Sequence, residues 1–249
     1  NESSNLNKDD DDIYDLDFNR VKIQSFAVKP SLIWRGQLGG SLKLGAFYEN
    51  NEVENTEDRF ISSTDSPFTA NNPIFDSQDF WGVDAKYHFA NKNNAAFPTL
   101  GFQVALETGY KRNFDTENNG FAYVIPEIGF DYKLIPSGKL VLATDFRGHI
   151  NLGNDYEFYQ AASIGGDNGL RGFRNERFTG KNAYTQSTDV RWSFSNLKTN
   201  IVPVQLGIYA GLDYGRVWEN NDNSDEWHNS YGGGFFVNIT NLLTANISA

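Results

Sequence analysis

Apolar and polar residues alternate with a period of two along most of this chain, and no other feature limits its fold as strongly. Successive side chains of a strand point to opposite faces, so each such run reads as a strand with one apolar and one polar side. The pattern recurs about ten times. In a first run from Val21 to Trp34, residues Phe26, Val28, Pro30, Leu32 and Trp34 share a face. Leu42, Leu44, Ala46 and Tyr48 then oppose Ser41, Lys43, Gly45 and Glu49, and Trp81, Val83, Ala85, Tyr87 and Phe89 oppose Gly82, Asp84, Lys86 and His88. Similar runs cover Leu100 to Glu107, Ala122 to Asp131 and Leu140 to Asn151. Further along, Val190, Trp192 and Phe194 oppose Asp189 and Arg191, and Val204, Leu206, Ile208, Ala210 and Leu212 oppose Gln205, Gly207, Tyr209, Gly211 and Asp213. Two last runs follow, Tyr231 to Ile239 and Leu243 to Ala249.

A water-soluble sandwich and a membrane barrel both use such strands. The connections separate them. Short turns fall near Gly36 to Gly40, Asn91 to Pro98, Ile135 to Gly138, Leu197 to Pro203 and Thr240 to Asn241. Long or acidic loops fall near Asn51 to Phe75, Asp115 to Asn119, Gly153 to Asn182 and Glu219 to Glu226. Short turns at one end and long loops at the other describe an outer-membrane meander. Trp34, Trp81, Tyr132, Trp192 and Trp218 near strand ends suit interfacial girdles. Charged residues in mid-strand are tolerable where they face a polar lumen. The fold expected is therefore all-β: a transmembrane antiparallel up-and-down β-barrel, with residues 1–249 forming one partial barrel domain. Trp192, Phe194, Leu206, Ile208, Phe146 and Val237 are expected to face lipid. Asp145, Arg147, Asp189, Arg191, Gln205 and Asp213 are expected to face the lumen.

Composition removes other classes. A net charge of -11 argues against nucleic acid. Without cysteine there is no disulfide framework and no thiol chemistry. The chain also lacks methionine, which points to a processed product or a fragment. A barrel must close its edges, so sequence is expected beyond both ends, with Asn1 to Asn19 lying in an external loop. The acidic run Asp9 to Asp12 reads as a solvated segment. A mean hydropathy of -0.53 does not separate soluble proteins from membrane barrels, whose strands are only half apolar.

The longest connection holds Gly165-Gly166-Asp167-Asn168-Gly169-Leu170-Arg171-Gly172-Phe173. Taken alone this is a glycine-rich surface loop. Arg171, however, precedes two strands that each carry a carboxylate on the polar face, Asp189 and Asp213. A shielded guanidinium needs such partners. Arg171 is thus expected to pair with both, with Gly172 letting the backbone approach the wall and Phe173 wedging the tip. Enzyme chemistry finds little support: His88, His149 and His228 are scattered, the Asp145-x-Arg147-x-His149 row fits a polar wall, and there is no phosphate loop or nucleophile elbow. No catalytic residue, metal site or cofactor is assigned.

The Leu170-Arg171-Gly172-Phe173 loop, Asp189 and the strand motif around Gly211, Asp213, Gly215 and Trp218 together resemble the C-terminal half of an Omp85-superfamily barrel. The likeness is specific over roughly Ile164 to Val237 and architectural before it. It implies a sixteen-stranded outer-membrane barrel, present here from about the sixth strand to the fifteenth. It also implies that the loop over residues 153–182 folds into the lumen, its Arg171 meeting Asp189 and Asp213. The implied function is polypeptide translocation or outer-membrane protein assembly. The partners implied are outer-membrane lipid, a polypeptide substrate and subunits of an outer-membrane complex, with no nucleic acid. Gly207 to Trp218 and Trp227 to Gly234 are most similar to a Bacteroidota subgroup whose barrels follow a calcineurin-like metallophosphoesterase domain. A barrel anchoring or exporting such an enzyme is the alternative, and a diffusion porin a second. Asn238-Ile239-Thr240-Asn241 stands where insertase members have a Ser-Pro-x-Gly-Pro-like turn, which sets the chain apart from them.

Overall fold

The computed structural model describes residues 20–57, 59–63, 73–114, 120–198, 202–219, 226–239 and 243–248. The expectations for Asn1 to Asn19 (with Asp9 to Asp12), for Asp115 to Asn119 and for the Thr240 to Asn241 turn lie outside them, as does most of the Glu219 to Glu226 loop.

Among the described residues the regular structure is strands and short 3-10 turns. In chain order the strands are β1 (Ile23–Val28), β2 (Ser31–Arg35), β3 (Gly40–Val53), β4 (Gln78–Lys92), β5 (Gly101–Asn113), β6 (Phe121–Lys133), β7 (Leu140–Leu152), β8 (Ala162–Ile164), β9 (Phe178–Gly180), β10 (Asn182–Ser193), β11 (Leu197–Lys198), β12 (Pro203–Trp218), β13 (His228–Ile239) and β14 (Leu243–Ser248). One sheet takes them in the order β1-β3-β4-β5-β6-β7-β10-β12-β13-β14, with β2 on β3 and β11 on β12 at its margins. This is an up-and-down antiparallel meander in which neighbours in sequence are neighbours in space. Such hairpin connections follow from the short turns.

The run from Val21 to Trp34, expected as one strand, is broken. It forms β1 and β2, separated at Lys29-Pro30. Proline has no N–H for the ladder and restricts the residue before it. Pro30 keeps its acceptor role, its carbonyl taking the Ala46 N–H at 3.2 Å.

The chain divides into two units. In one, made of Asn1–Pro30, Gly45–Val83 and Lys111–Asn119, β1 pairs with the second half of β3 from Ile23 opposite Val53 to Val28 opposite Tyr48. Val53, Ile61, Ile74 and Phe80 are buried there. Glu49 is gripped by Lys29 at 2.6 Å and Lys111 at 2.8 Å, and the buried Asn113 and Gln78 side chains hydrogen-bond at 2.6 Å.

The other unit, Ser31–Leu44, Asp84–Tyr110 and Gly120–Ala249, holds the arginine loop. Its burial is inverted relative to a water-soluble protein. Trp192, Phe194, Leu206, Leu212 and Phe235 are exposed, whereas Asp131, Asp213 and Asn238 are buried. Phe146, Ile208 and Val237 are half-buried on the same side as Trp192 and Leu206. An apolar exterior around a polar interior is what a bilayer selects. Register turns the polar side into rows across β6, β7, β10, β12 and β13. Gly129, Asp145, Ser187, Asp213 and Ser230 make one row. Asp131, Ala143, Asp189, Gly211 and Gly232 make the next. In a third, Glu127, Arg147, Thr185, Gly215 and His228 stand side by side.

Candidate functional site

Between β7 and β10 the chain does not run as an irregular loop. β8 and β9 form a small antiparallel hairpin, Ala162 opposite Gly180 and Ile164 opposite Phe178, whose tip carries the Gly165 to Phe173 segment. The tip is closed by its own backbone: Leu170 and Asn168 both donate to the Gly165 carbonyl, at 2.9 and 3.0 Å. Leu170 is fully buried in a small core with Ala162, Ile164 and Ala183, against which Phe173, Phe178 and Val217 pack. Phe173 meets the Phe178 ring edge-on at 5.3 Å, and Phe178 stacks on His228 at 3.5 Å. Phe173 therefore packs on a core that the loop shares with the strand wall, where Ala183 of β10 and Val217 of β12 meet Ala162, Ile164 and Leu170. Gly172 departs from expectation. A side chain there would meet nothing within 4 Å, but its φ of +81° is a conformation that favours glycine. Its backbone shape, not a close approach, is what calls for glycine.

This core sets Arg171 down on the polar rows. Its Nε donates to Asp213 Oδ2 at 2.7 Å and its Nη2 to Asp213 Oδ1 at 2.6 Å, a two-pronged fork matched to the planar guanidinium. The Arg171 backbone N–H also donates to Oδ2, at 2.8 Å. Nη1 makes an ion pair with Asp189 Oδ1 at 2.8 Å, and Nη2 reaches Ser187 Oγ at 3.0 Å. Asp213 is 1% exposed and receives two further bonds, from Ser187 Oγ at 2.6 Å and Ser230 Oγ at 3.2 Å. A buried carboxylate is tolerated because all its acceptor capacity is used. Hydrogen bonding to Asp213, against burial and helped by Asp189, holds the Arg171 guanidinium more firmly protonated than an ordinary arginine.

Glycines make room for the fork. A side chain at Gly211 would collide with the Arg171 guanidinium and the Asp189 carboxylate, and one at Gly215 would press on Ile164 and Thr185 at 3.2 and 3.1 Å. Trp218 is not in this cluster. It lies on the opposite face of β12, edge-on to Trp227 at 6.2 Å, with the Arg216 guanidinium 5.2 Å from its ring. Ser187 and Ser230 were not singled out from the sequence. Hydroxyl residues are common in strands, and only the register brings these two to Asp213.

Beside Arg171 lies a cavity of about 630 Å³, lined by Arg171, Ser187, Asp189, Arg191, Phe97 and Phe236 among others. The other lumen-side candidates surround these rows. Asp145 accepts from Gln103 at 2.9 Å, Arg147 pairs with Glu127 at 3.2 Å, and Arg191 pairs with Asp131 at 2.6 Å. Gln205 donates to the Phe194 carbonyl at 3.4 Å, at the margin of hydrogen-bond reach. No group of metal-ligating side chains forms among the described residues.

A family model for haemolysin secretion/activation protein ShlB/FhaC/HecB matches residues 80–237, more than half of the chain. Among solved structures, BamA from Haemophilus ducreyi lacking POTRA domains 1–3 superposes with a TM-score of 0.65 at 15% identity. That match covers 92% of this chain and 51% of the BamA chain, so this chain spans about half the length of that structure. No curated protein sequence matches. At this identity the BamA likeness speaks for the fold alone, the antiparallel up-and-down strands of a β-barrel. The chain belongs to the haemolysin secretion/activation protein ShlB/FhaC/HecB family, and is an outer-membrane β-barrel protein.

Proposed function

We propose that this chain is part of an Omp85-type pore that moves polypeptides across, or inserts them into, the outer membrane. In this reading it supplies roughly strands six to fifteen of a sixteen-stranded barrel. The connection over residues 153–182 rests inside the lumen, with Leu170, Arg171, Gly172 and Phe173 as its tip and Asp189 and Asp213 as its seat. The segment does no covalent chemistry. Its work is to hold the loop in one place while the lumen stays polar and wet enough for an extended chain. The observation that carries the reading is the Arg171–Asp213 fork, a shielded ion pair spanning loop and wall beside the cavity. An exposed bridge would contribute only about 0–1 kcal/mol and would not position a loop.

The test uses the full-length protein in cells, with a reporter polypeptide secreted or assembled through it. Arg171→Ala should sharply reduce export while the barrel still inserts, and Arg171→Lys should restore part of it. Undiminished export in an inserted Arg171→Ala protein would overturn the reading. The second reading, a barrel that anchors or exports a metallophosphoesterase of Bacteroidota type, is favoured by the similarity of Gly207 to Trp218 and Trp227 to Gly234 to that subgroup. It requires a metal-ligand Asp/His/Asn set upstream of Asn1, whereas POTRA repeats there support the first. A diffusion porin would pass small solutes at wild-type rates whatever stands at position 171.

A further inference from the structure

The turn between β4 and β5 lies at the short-turn end of the strands, opposite the arginine loop, and it does something the other described short turns do not. The β6–β7 turn leaves Leu134 and Ile135 exposed. The β4–β5 turn instead pushes Phe97 inward until it is 6% exposed. Two asparagines shape it. Asn93 Oδ1 accepts the Thr99 and Leu100 N–H groups, both at 3.0 Å, and Asn94 Oδ1 accepts those of Ala96 and Phe97 at 2.9 and 2.6 Å. Side-chain-capped turns of this kind hold the following residue in a fixed direction.

Phe97 lands on β13, far along the sheet order from β4 and β5. Its ring lies 5.1 Å from that of Phe236, itself 3% exposed. Gly207 opposite makes the room, because a side chain there would collide with the Phe236 ring. Arg191 closes the third side. Its guanidinium stands 5.2 Å from the Phe97 ring centre, and its Nη2 donates to the Pro98 carbonyl at 2.7 Å and to Asp131 at 2.6 Å. Lys92 holds the other Asp131 oxygen at 3.2 Å. An aromatic ring is thus received by a ring and a cation, and the carbonyl that follows it by the same cation. Nothing in this recognition depends on the turn being covalently attached.

We propose that Phe236, Gly207 and Arg191 form a binding seat for an aromatic residue of an extended polypeptide, which this chain fills with its own Phe97-Pro98. The turn is a self-ligand that closes the short-turn end of the cavity. A polypeptide presenting an aromatic side chain with a free carbonyl after it competes for the seat. The identity of that competitor rests on the translocation reading, whereas the seat and its self-ligand do not.

The experiment measures conductance of the full-length protein in planar bilayers. Phe97→Ala should raise the steady conductance over wild type. A synthetic end-blocked hexapeptide of the turn sequence, Asn-Ala-Ala-Phe-Pro-Thr, should then lower it again. The same peptide with alanine for phenylalanine should not. In the Phe97→Ala/Phe236→Ala double variant, half-block should need roughly two- to tenfold more peptide, the ratio expected for loss of an aromatic pair. Asn94→Ala frees the turn without touching the seat, so it guards against a folding artefact, and it should open the pore in the same peptide-reversible way. Wild-type conductance in both Phe97→Ala and Asn94→Ala would overturn the proposal, as would equal block by the two peptides. Peptide block in a protein that exports nothing would uphold the seat and remove the translocation reading.

Discussion

Two connections press on the same polar face of the sheet from opposite strand ends, and they are held by different physics. The arginine loop is held by charge. One buried carboxylate, Asp213, receives five hydrogen bonds, three of them from Arg171, and the loop's apolar core lies behind the contact. The β4–β5 turn is held mainly by aromatic packing, with Phe97 on Phe236 and a single cation alongside. A shielded fork has one good geometry and fails steeply when a partner is lost, because the remaining charge stays buried. A ring in a slot is less directional and tolerates replacement of similar volume. The loop is therefore built to stay in place and the turn to come and go.

Breaking the charge anchor should have the largest effect. Asp213→Ala strands the Arg171 backbone N–H and leaves the guanidinium with only Asp189 and Ser187. About 3–5 kcal/mol of local stability should be lost, by analogy with broken buried pairs. Trypsin cutting after Arg174 or Arg177 at the loop tip should report it, while β4–β5 turn cleavage stays unchanged. Arg171→Lys keeps the charge but not the fork. Losing a charge-assisted bond should cost about 1.5–3 kcal/mol, seen as intermediate protease sensitivity.

Gly211→Ala sharpens the comparison, because alanine is ordinarily no worse than glycine in a strand. Here the added methyl meets Arg171 and Asp189. Overpacking should cost about 1–3 kcal/mol and loosen the loop, visible as earlier loop cleavage on heating. The smallest effect belongs to the aromatic anchor. Phe236→Leu preserves apolar volume and loses the ring pair, about 0.5–1.5 kcal/mol, so loop cleavage should be unmoved and conductance slightly raised.

The two connections were also unequally legible. Strand periodicity assigned sides correctly because a bilayer and a wet lumen impose opposite demands on alternate residues. Arg171 stood out because an arginine among glycines, followed by in-phase carboxylates on two strands, is a pattern with a physical cost attached, whereas Leu170 came only with the family motif. Ser187 and Ser230 were silent, since a hydroxyl's partner depends on register across strands. Phe97 was silent for another reason. Asn93 to Pro98 reads locally as an ordinary turn, and no local rule says which way its one large side chain points. Phe236 sits among glycines and outward aromatics, where its inward phase is easily passed over. Pro30 did carry the signal for the break between β1 and β2, but the alternation around it continues across the break.

The most direct test of the loop anchor is a double-mutant cycle between Arg171 and Asp213, read by denaturant unfolding of the full-length protein in lipid vesicles with loop cleavage as the local probe. If the fork positions the loop, the single changes Arg171→Ala and Asp213→Ala are strongly non-additive, with a coupling of about 2–3 kcal/mol, at the upper end of what contacting residues show. Additive changes, with a coupling within about 0.5 kcal/mol of zero, would contradict the account and leave the loop held by its apolar core and the Asp189 pair.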